Sequence, residues 1–148
     1  LFRSAPEHAV MYERLKESLD LQCNEFAQLQ VVEYMKNYDV EGHIRKIQAA
    51  YKEKCDLMLS MMEENFPASV KFTRPEGGMF IWVELPEGLD ADAILDEAVE
   101  AGVAYIPGEF FYANDGAKNT MRLNFTTVSE EQIRKGIVLL ADVLKKHA

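Results

Sequence analysis

The sequence predicts an α+β fold, a two-layer α/β arrangement in which a small, mainly antiparallel sheet carries helices on one face. Three observations support that expectation. Met121–Phe125 alternates, with Met121, Leu123 and Phe125 on one face and Arg122, Asn124 and Thr126 on the other, the period of a half-buried strand. Val70–Thr73 and Gly78–Leu85 flank Arg74-Pro75-Glu76-Gly77, where Pro and Gly suit a tight turn, so the pair reads as an antiparallel hairpin. The remaining periodic segments each present one apolar stripe, which suits helices packed against a sheet that buries only one side.

Taken in order, residues 24–36 carry Phe26, Leu29, Val32 and Met35 at helical spacing, and Asn37-Tyr38-Asp39 interrupts the pattern. From Val40 to about Asn65, the positions Ile44, Ile47, Tyr51, Cys55, Met58 and Met62 hold one face of a long helix, which Pro67 stops. After the hairpin, Pro86-Glu87-Gly88 ends the second strand. Asp90 then caps a helix with Ile94, Leu95, Ala98 and Val99 inward and Gly102 as its terminator. Val103–Ile106 reads as a short strand ending at Pro107-Gly108, and Glu109–Asn119, which lacks a period, reads as a loop. Ser129 and Gln132 form a capping box for a last helix that buries Ile133, Ile137, Leu140, Ala141 and Leu144.

A chain of 148 residues with 48% hydrophobic and 28% charged residues is globular and fits one domain or two. At this size about 68–70% of the unfolded surface can be buried, so no metal or disulfide is required. The net charge of −9, with no run of Lys or Arg, argues against nucleic acid and disfavours anionic membranes. The longest apolar stretches, Met79–Val83 and Ile137–Ala141, fall far below the ~18 residues of a membrane span. Cys23 and Cys55 sit in helix-like contexts and do not make a secreted disulfide framework, so a soluble, cytoplasmic protein is expected. The opening Leu1-Phe2-Arg3, without an initiator Met, is expected of a processed chain or a piece of a longer one.

Signals for chemistry are sparse. His8, His43 and His147 lie far apart without repeated metal-ligand spacing. Gly77-Gly78 leads into a strand and lacks the Lys-Ser/Thr of a phosphate loop, so turn glycines are the better account. Ser18, Ser60, Ser69 and Ser129 have no nucleophile-elbow context, and Met58, Met61, Met62 and Met79 read as core filler. Arg122 stands out as a guanidinium inside an alternating strand, beside a loop of glycines and aromatics. Spacing alone leaves two readings: a solvent-facing strand arginine, which is the simpler, or a two-point grip on a carboxylate.

Three blocks narrow that choice. Arg74-Pro75-Glu76-Gly77-Gly78-Met79-Phe80-Ile81-Trp82-Val83-Glu84-Leu85-Pro86, Val103-Ala104-Tyr105-Ile106-Pro107-Gly108-Glu109-Phe110-Phe111 and Asn119-Thr120-Met121-Arg122-Leu123-Asn124-Phe125 closely resemble the carboxy-terminal part of class I/II aminotransferases. These are pyridoxal-phosphate enzymes of fold type I, and the resemblance is to the 2-aminoadipate, kynurenine and valine–pyruvate-like branch. It covers essentially the whole chain. It implies transfer of an amino group between an amino acid and a 2-oxo acid, and a homodimer. Arg122 is thereby implied to be the arginine that binds the substrate α-carboxylate, reversing the preference that spacing alone gives.

The departures are equally informative. The family carries pyridoxal 5'-phosphate on a lysine in a motif like Ser-x-Ser-Lys-x-x-x-Pro-Gly-x-Arg, and none of Lys16, Lys36, Lys46, Lys52, Lys54, Lys71, Lys118, Lys135, Lys145 or Lys146 has that context. Ala5-Pro6-Glu7 resembles the Ala-Pro that follows the motif, so the chain is expected to be a carboxy-terminal fragment beginning just downstream of that lysine. No catalytic, cofactor-binding or metal-binding residue is therefore assigned within it, and the fragment alone is expected to be inactive. Residues 1–38 would border the large domain and residues 39–148 form the small domain. Asp20–Asn24 resembles the stretch that approaches a neighbouring subunit's active site, or is an ordinary polar loop. The alternative of a different class is a stand-alone α+β module that binds a small molecule without catalysis.

Overall fold

The computed structural model describes residues 5–20 and 23–147. Five helices and four strands follow in the order α1 (Pro6–Asp20), α2 (Glu25–Asn37), α3 (Val40–Asn65), β1 (Lys71–Phe72), β2 (Phe80–Glu84), α4 (Ala91–Glu100), β3 (Ile106–Pro107), β4 (Thr120–Asn124) and α5 (Glu130–Leu144). The chain divides into two compact units, residues 5–44 and residues 45–147, with the division inside α3.

In the first unit, α1 adds a helix to those read from the sequence. Pro6 opens it where a missing N–H costs nothing, and Lys16 pairs with Asp20 one turn on at 2.8 Å. Asn24 caps α2 by accepting from Ala27 N at 3.1 Å, and Asp39 does the same for α3 by accepting from Gly42 N at 2.8 Å. Cys23 lies between helices and not within one, because Asn24 already holds the cap position. Leu21 and Gln22, in the Asp20–Asn24 stretch, lie outside the described residues, as do residues 1–4.

The second unit is the α+β body. Its sheet has the order β1-β2-β4-β3 and is antiparallel throughout. The antiparallel hairpin forms, but its strands are shorter than the expected Val70–Thr73 and Gly78–Leu85, and residues 73–79 connect them as a wider bend in place of the expected tight turn at Arg74–Gly77; Thr73 N extends the pairing by donating to Trp82 O at 2.9 Å. Ile81, Val83, Met121 and Leu123 line one face of the sheet, where they join Met58 and Met62 of α3, Ile94 and Ala98 of α4, and Ile133, Ile137, Leu140 and Leu144 of α5. Each such Val, Leu, Ile or Met side chain, taken fully from water, contributes about 1.5–3 kcal/mol before entropy is counted.

Caps determine where the helices begin and end. Asp90 accepts from Asp92 N and Ala93 N at the start of α4. Against some desolvation, those N–H groups and the Lys118 ammonium hold its carboxyl below the usual range. At the other end Gly102 adopts φ +96°, and the bonds Gly102 N to Val99 O and Val103 N to Ala98 O close a Schellman turn. The capping box on α5 is complete, with Gln132 N donating to Ser129 Oγ and Ser129 N to Gln132 Oε1. Tyr105 donates its hydroxyl to Ala91 O at 2.7 Å, and burial, reinforced by the Asp92 and Asp90 carboxylates, pushes its phenol well up.

Several readings from sequence are corrected. The strand expected over Val103–Ile106 is β3 at Ile106–Pro107, because Val103 is spent on the Schellman turn. The expected loop opens with a single 3-10 turn, Gly108–Phe111. Val99 and Met79 are exposed, the first because α4 buries a narrower stripe through Ala91, Ile94 and Ala98, the second because it precedes the paired part of β2.

Candidate functional site

Arg122 lies in the middle of β4. Its Cα partner on one side is Trp82 of β2 and on the other Ile106 of β3. Because Met121 and Leu123 face the helices, alternation turns Arg122 to the opposite face, together with Phe80 and Trp82. It is partly buried there, and its guanidinium carbon sits 4.0 Å from the Phe80 ring centroid and 4.1 Å from that of Phe111. The cation thus makes contact with two aromatic rings at once. Among the described residues, no carboxylate forms an ion pair with it.

Phe111 reaches this position from the 3-10 turn after β3. Its ring also packs edge-on against Trp82 with centroids 5.8 Å apart, and Tyr112 packs against the same indole at 6.3 Å. That approach depends on Gly108. A Cβ there would lie 2.8 Å from both Thr120 Cβ and Trp82 Cη2 and closer still to Thr120 Oγ1, distances real side chains do not adopt. A glycine at the start of the turn lets the segment lie directly on the sheet and bring Phe111 over Arg122.

Sequence reading singled out Arg122 and missed its two flanking rings. Phe80 was discoverable, since it lies two residues before Trp82 and so shares its face. Phe111 was not, because it comes from an aperiodic segment whose path is set by contact with the sheet. The cavity bordered by Leu123, Ile133 and Leu140 lies on the helix side of the sheet, away from Arg122.

Among the described residues there is no cluster of three His, Cys, Asp or Glu placed to hold a metal, and no helix long and apolar enough to cross a membrane. A covalently held carbonyl cofactor requires an accessible amine that readily loses its proton, which Lys54, Lys16 and Lys52 do not offer. Lys54 donates to Thr126 O at 2.9 Å and Val128 O at 2.6 Å. Lys16 and Lys52 donate to the Asp20 and Asp56 carboxylates, which hold their ammonium groups above the ordinary range.

A small antiparallel sheet with helices on one side agrees with what comparison with known proteins finds. The family description "Aminotransferase class I and II" matches residues 15–140, and the chain belongs to that family. It is 50% identical over 132 residues to aromatic-amino-acid aminotransferase 1 of Thermococcus litoralis, covering 89% of this chain and 32% of the relative. Among solved structures it superposes with a TM-score of 0.88 on a multiple substrate aminotransferase of Thermococcus profundus, at 45% identity, over 97% of this chain and 36% of the other. An α-aminoadipate aminotransferase of Thermus thermophilus, complexed with N-(5'-phosphopyridoxyl)-L-leucine, superposes with a TM-score of 0.85 at 36% identity, over 97% of this chain and 36% of that one. The chain therefore spans about a third of the length of the relatives it matches.

Proposed function

We propose that this chain is the substrate-orienting part of a cytoplasmic, homodimeric aminotransferase that moves an amino group between an amino acid and a 2-oxo acid, and that Arg122 grips the substrate α-carboxylate. The observation that carries the reading is a guanidinium held on the open face of the sheet by two rings, with no carboxylate of the described residues paired to it. A planar cation with parallel N–H donors matches a carboxylate at two points. Membership of the aminotransferase family supplies the reaction class.

Pyridoxal 5'-phosphate is the cofactor this reading implies. It supplies the electron sink for the amino transfer when bound. No lysine of the chain stands in the family's lysine motif, so the cofactor's lysine is assigned to a preceding segment of a longer protein, with residues 1–38 bordering that segment and residues 39–148 forming the small domain. This chain's own contribution is to hold the carboxylate in a fixed plane, which orders the amine and the bond to be broken.

Arg122→Lys in the full-length enzyme keeps the charge and removes the two-point geometry, so substrate binding weakens; Arg122→Ala weakens it further. Leaving a buried charge without its partner costs about 2–5 kcal/mol, or roughly thirty- to several-thousand-fold in affinity. Comparison of kcat/KM and thermal midpoint for both variants is the test. Unchanged kinetics with a lowered midpoint would make Arg122 a structural residue.

A further inference from the structure

We infer that Phe80 and Phe111 are positioning residues that hold the Arg122 guanidinium in place on the sheet, so that a small carboxylate meets its N–H donors in a fixed orientation. The inference rests on the carboxylate reading of Arg122 and extends it to two residues that never need to touch the ligand's polar atoms. The guanidinium carbon lies over both rings, 4.0 Å from the Phe80 centroid and 4.1 Å from that of Phe111, so two approaches to the cation are taken up by aromatic carbon and closed to an anion. The N–H donors all lie in the guanidinium plane.

The stacking also reduces what binding costs. A free arginine carries about 2 kcal/mol of rotamer entropy, part of which must be given up when a ligand fixes it. Here the rings have already restricted the group. The two rings differ in how they are supported. Phe80 belongs to a paired strand, opposite Asn124, whereas Phe111 is held by the 3-10 turn that Gly108 seats against Thr120 and Trp82. The wall formed by Phe111 is therefore the one that loop packing sets, and its removal should loosen the guanidinium most directly.

The test is nuclear magnetic resonance of the 15N-labelled full-length enzyme, following the Arg122 Nε–H signal during titration with pyruvate, with acetamide as the uncharged control. The signal of the parent should be displaced by the ring currents of Phe80 and Phe111 and should move with pyruvate but not with acetamide. Phe111→Leu and Phe80→Leu should each lessen the displacement and weaken pyruvate roughly two- to fivefold, the range of one exposed cation–π contact. Phe111→Tyr, which keeps a ring, should restore both signal position and affinity, a rescue that general loosening of the fold would not produce. If the leucine variants bind pyruvate as the parent does while Arg122→Ala does not bind it, the positioning role is overturned and the carboxylate reading stands. If Arg122→Ala binds as well as the parent, or the parent shows no pyruvate-dependent movement, the carboxylate reading fails and this inference falls with it.

Discussion

In α2, Phe26, Leu29, Val32 and Met35 recur at helical spacing and are 44–69% exposed, whereas Ile133, Ile137, Leu140 and Leu144 recur in the same way along α5 and are 0–4% exposed. The two stripes are equivalent as patterns. What differs is the partner: α5 meets a sheet face with a matching apolar row, and α2 belongs to a unit in which no described residue of α1 or α2 is buried. The contrast runs even along a single helix, since α3 begins with Ile44 exposed and ends with Met62 wholly buried. Apolar periodicity thus reports that a face wants covering, and tertiary contact alone reports that it has been covered.

The sharpest way to test that comparison is to truncate both stripes. Leu140→Ala should lower unfolding free energy by about 2–5 kcal/mol, because a fully buried side chain leaves a cavity among packed neighbours. Leu29→Ala should change it by less than about 0.5 kcal/mol. Urea denaturation of both variants measures the difference, and equal effects would mean that α2 is packed in solution.

A smaller effect is expected where the body of residues 45–147 meets its own loop. Gly108→Ala forces a Cβ against Thr120 and Trp82, and overpacking of this kind costs about 1–3 kcal/mol. Because the turn must lift, the cation–π contact of Phe111 with Arg122 should weaken as well, which the Arg122 Nε–H shift would register. A midpoint and shift identical to the parent's would show the turn to be more yielding than its packing indicates.

Association should separate the two units in another way. Residues 5–44 expose Met11, Leu15, Leu19, Phe26, Leu29 and Met35, a density of apolar surface that favours self-association as concentration rises. Light scattering should show it, and the double change Phe26→Lys, Met35→Lys should reduce it while leaving the core intact. A strict monomer at high concentration would overturn the expectation.

The smallest effect concerns pH and the end of α5. Lys146 and then His147 bond to Glu97 at 2.6 and 2.7 Å and hold its carboxyl below the ordinary range. A depressed folded-state value stabilises above the unfolded value and is lost as pH falls through the folded one. Glu97→Gln should therefore lower the thermal midpoint slightly at pH 7, and the gap should close as pH falls below the usual carboxylate range. A gap independent of pH would remove the ion pair from the explanation.

Much of this molecule is determined within short stretches of sequence. Asp90, the Ser129–Gln132 box and Gly102 act on backbone groups a few residues away, and the alternation around Arg122 assigns it to a face through geometry that any strand obeys. These features were legible because the cause and its effect lie within one turn or one strand. The resemblance to aminotransferases was legible for a similar reason, being carried by three contiguous blocks. The stacking of Phe111 on Arg122, the exact extent of β3 and the difference in burial between α2 and α5 were decided only in three dimensions. Each depends on what arrives from a distant part of the chain, and a side chain's partner, unlike its periodicity, is not written in its neighbours.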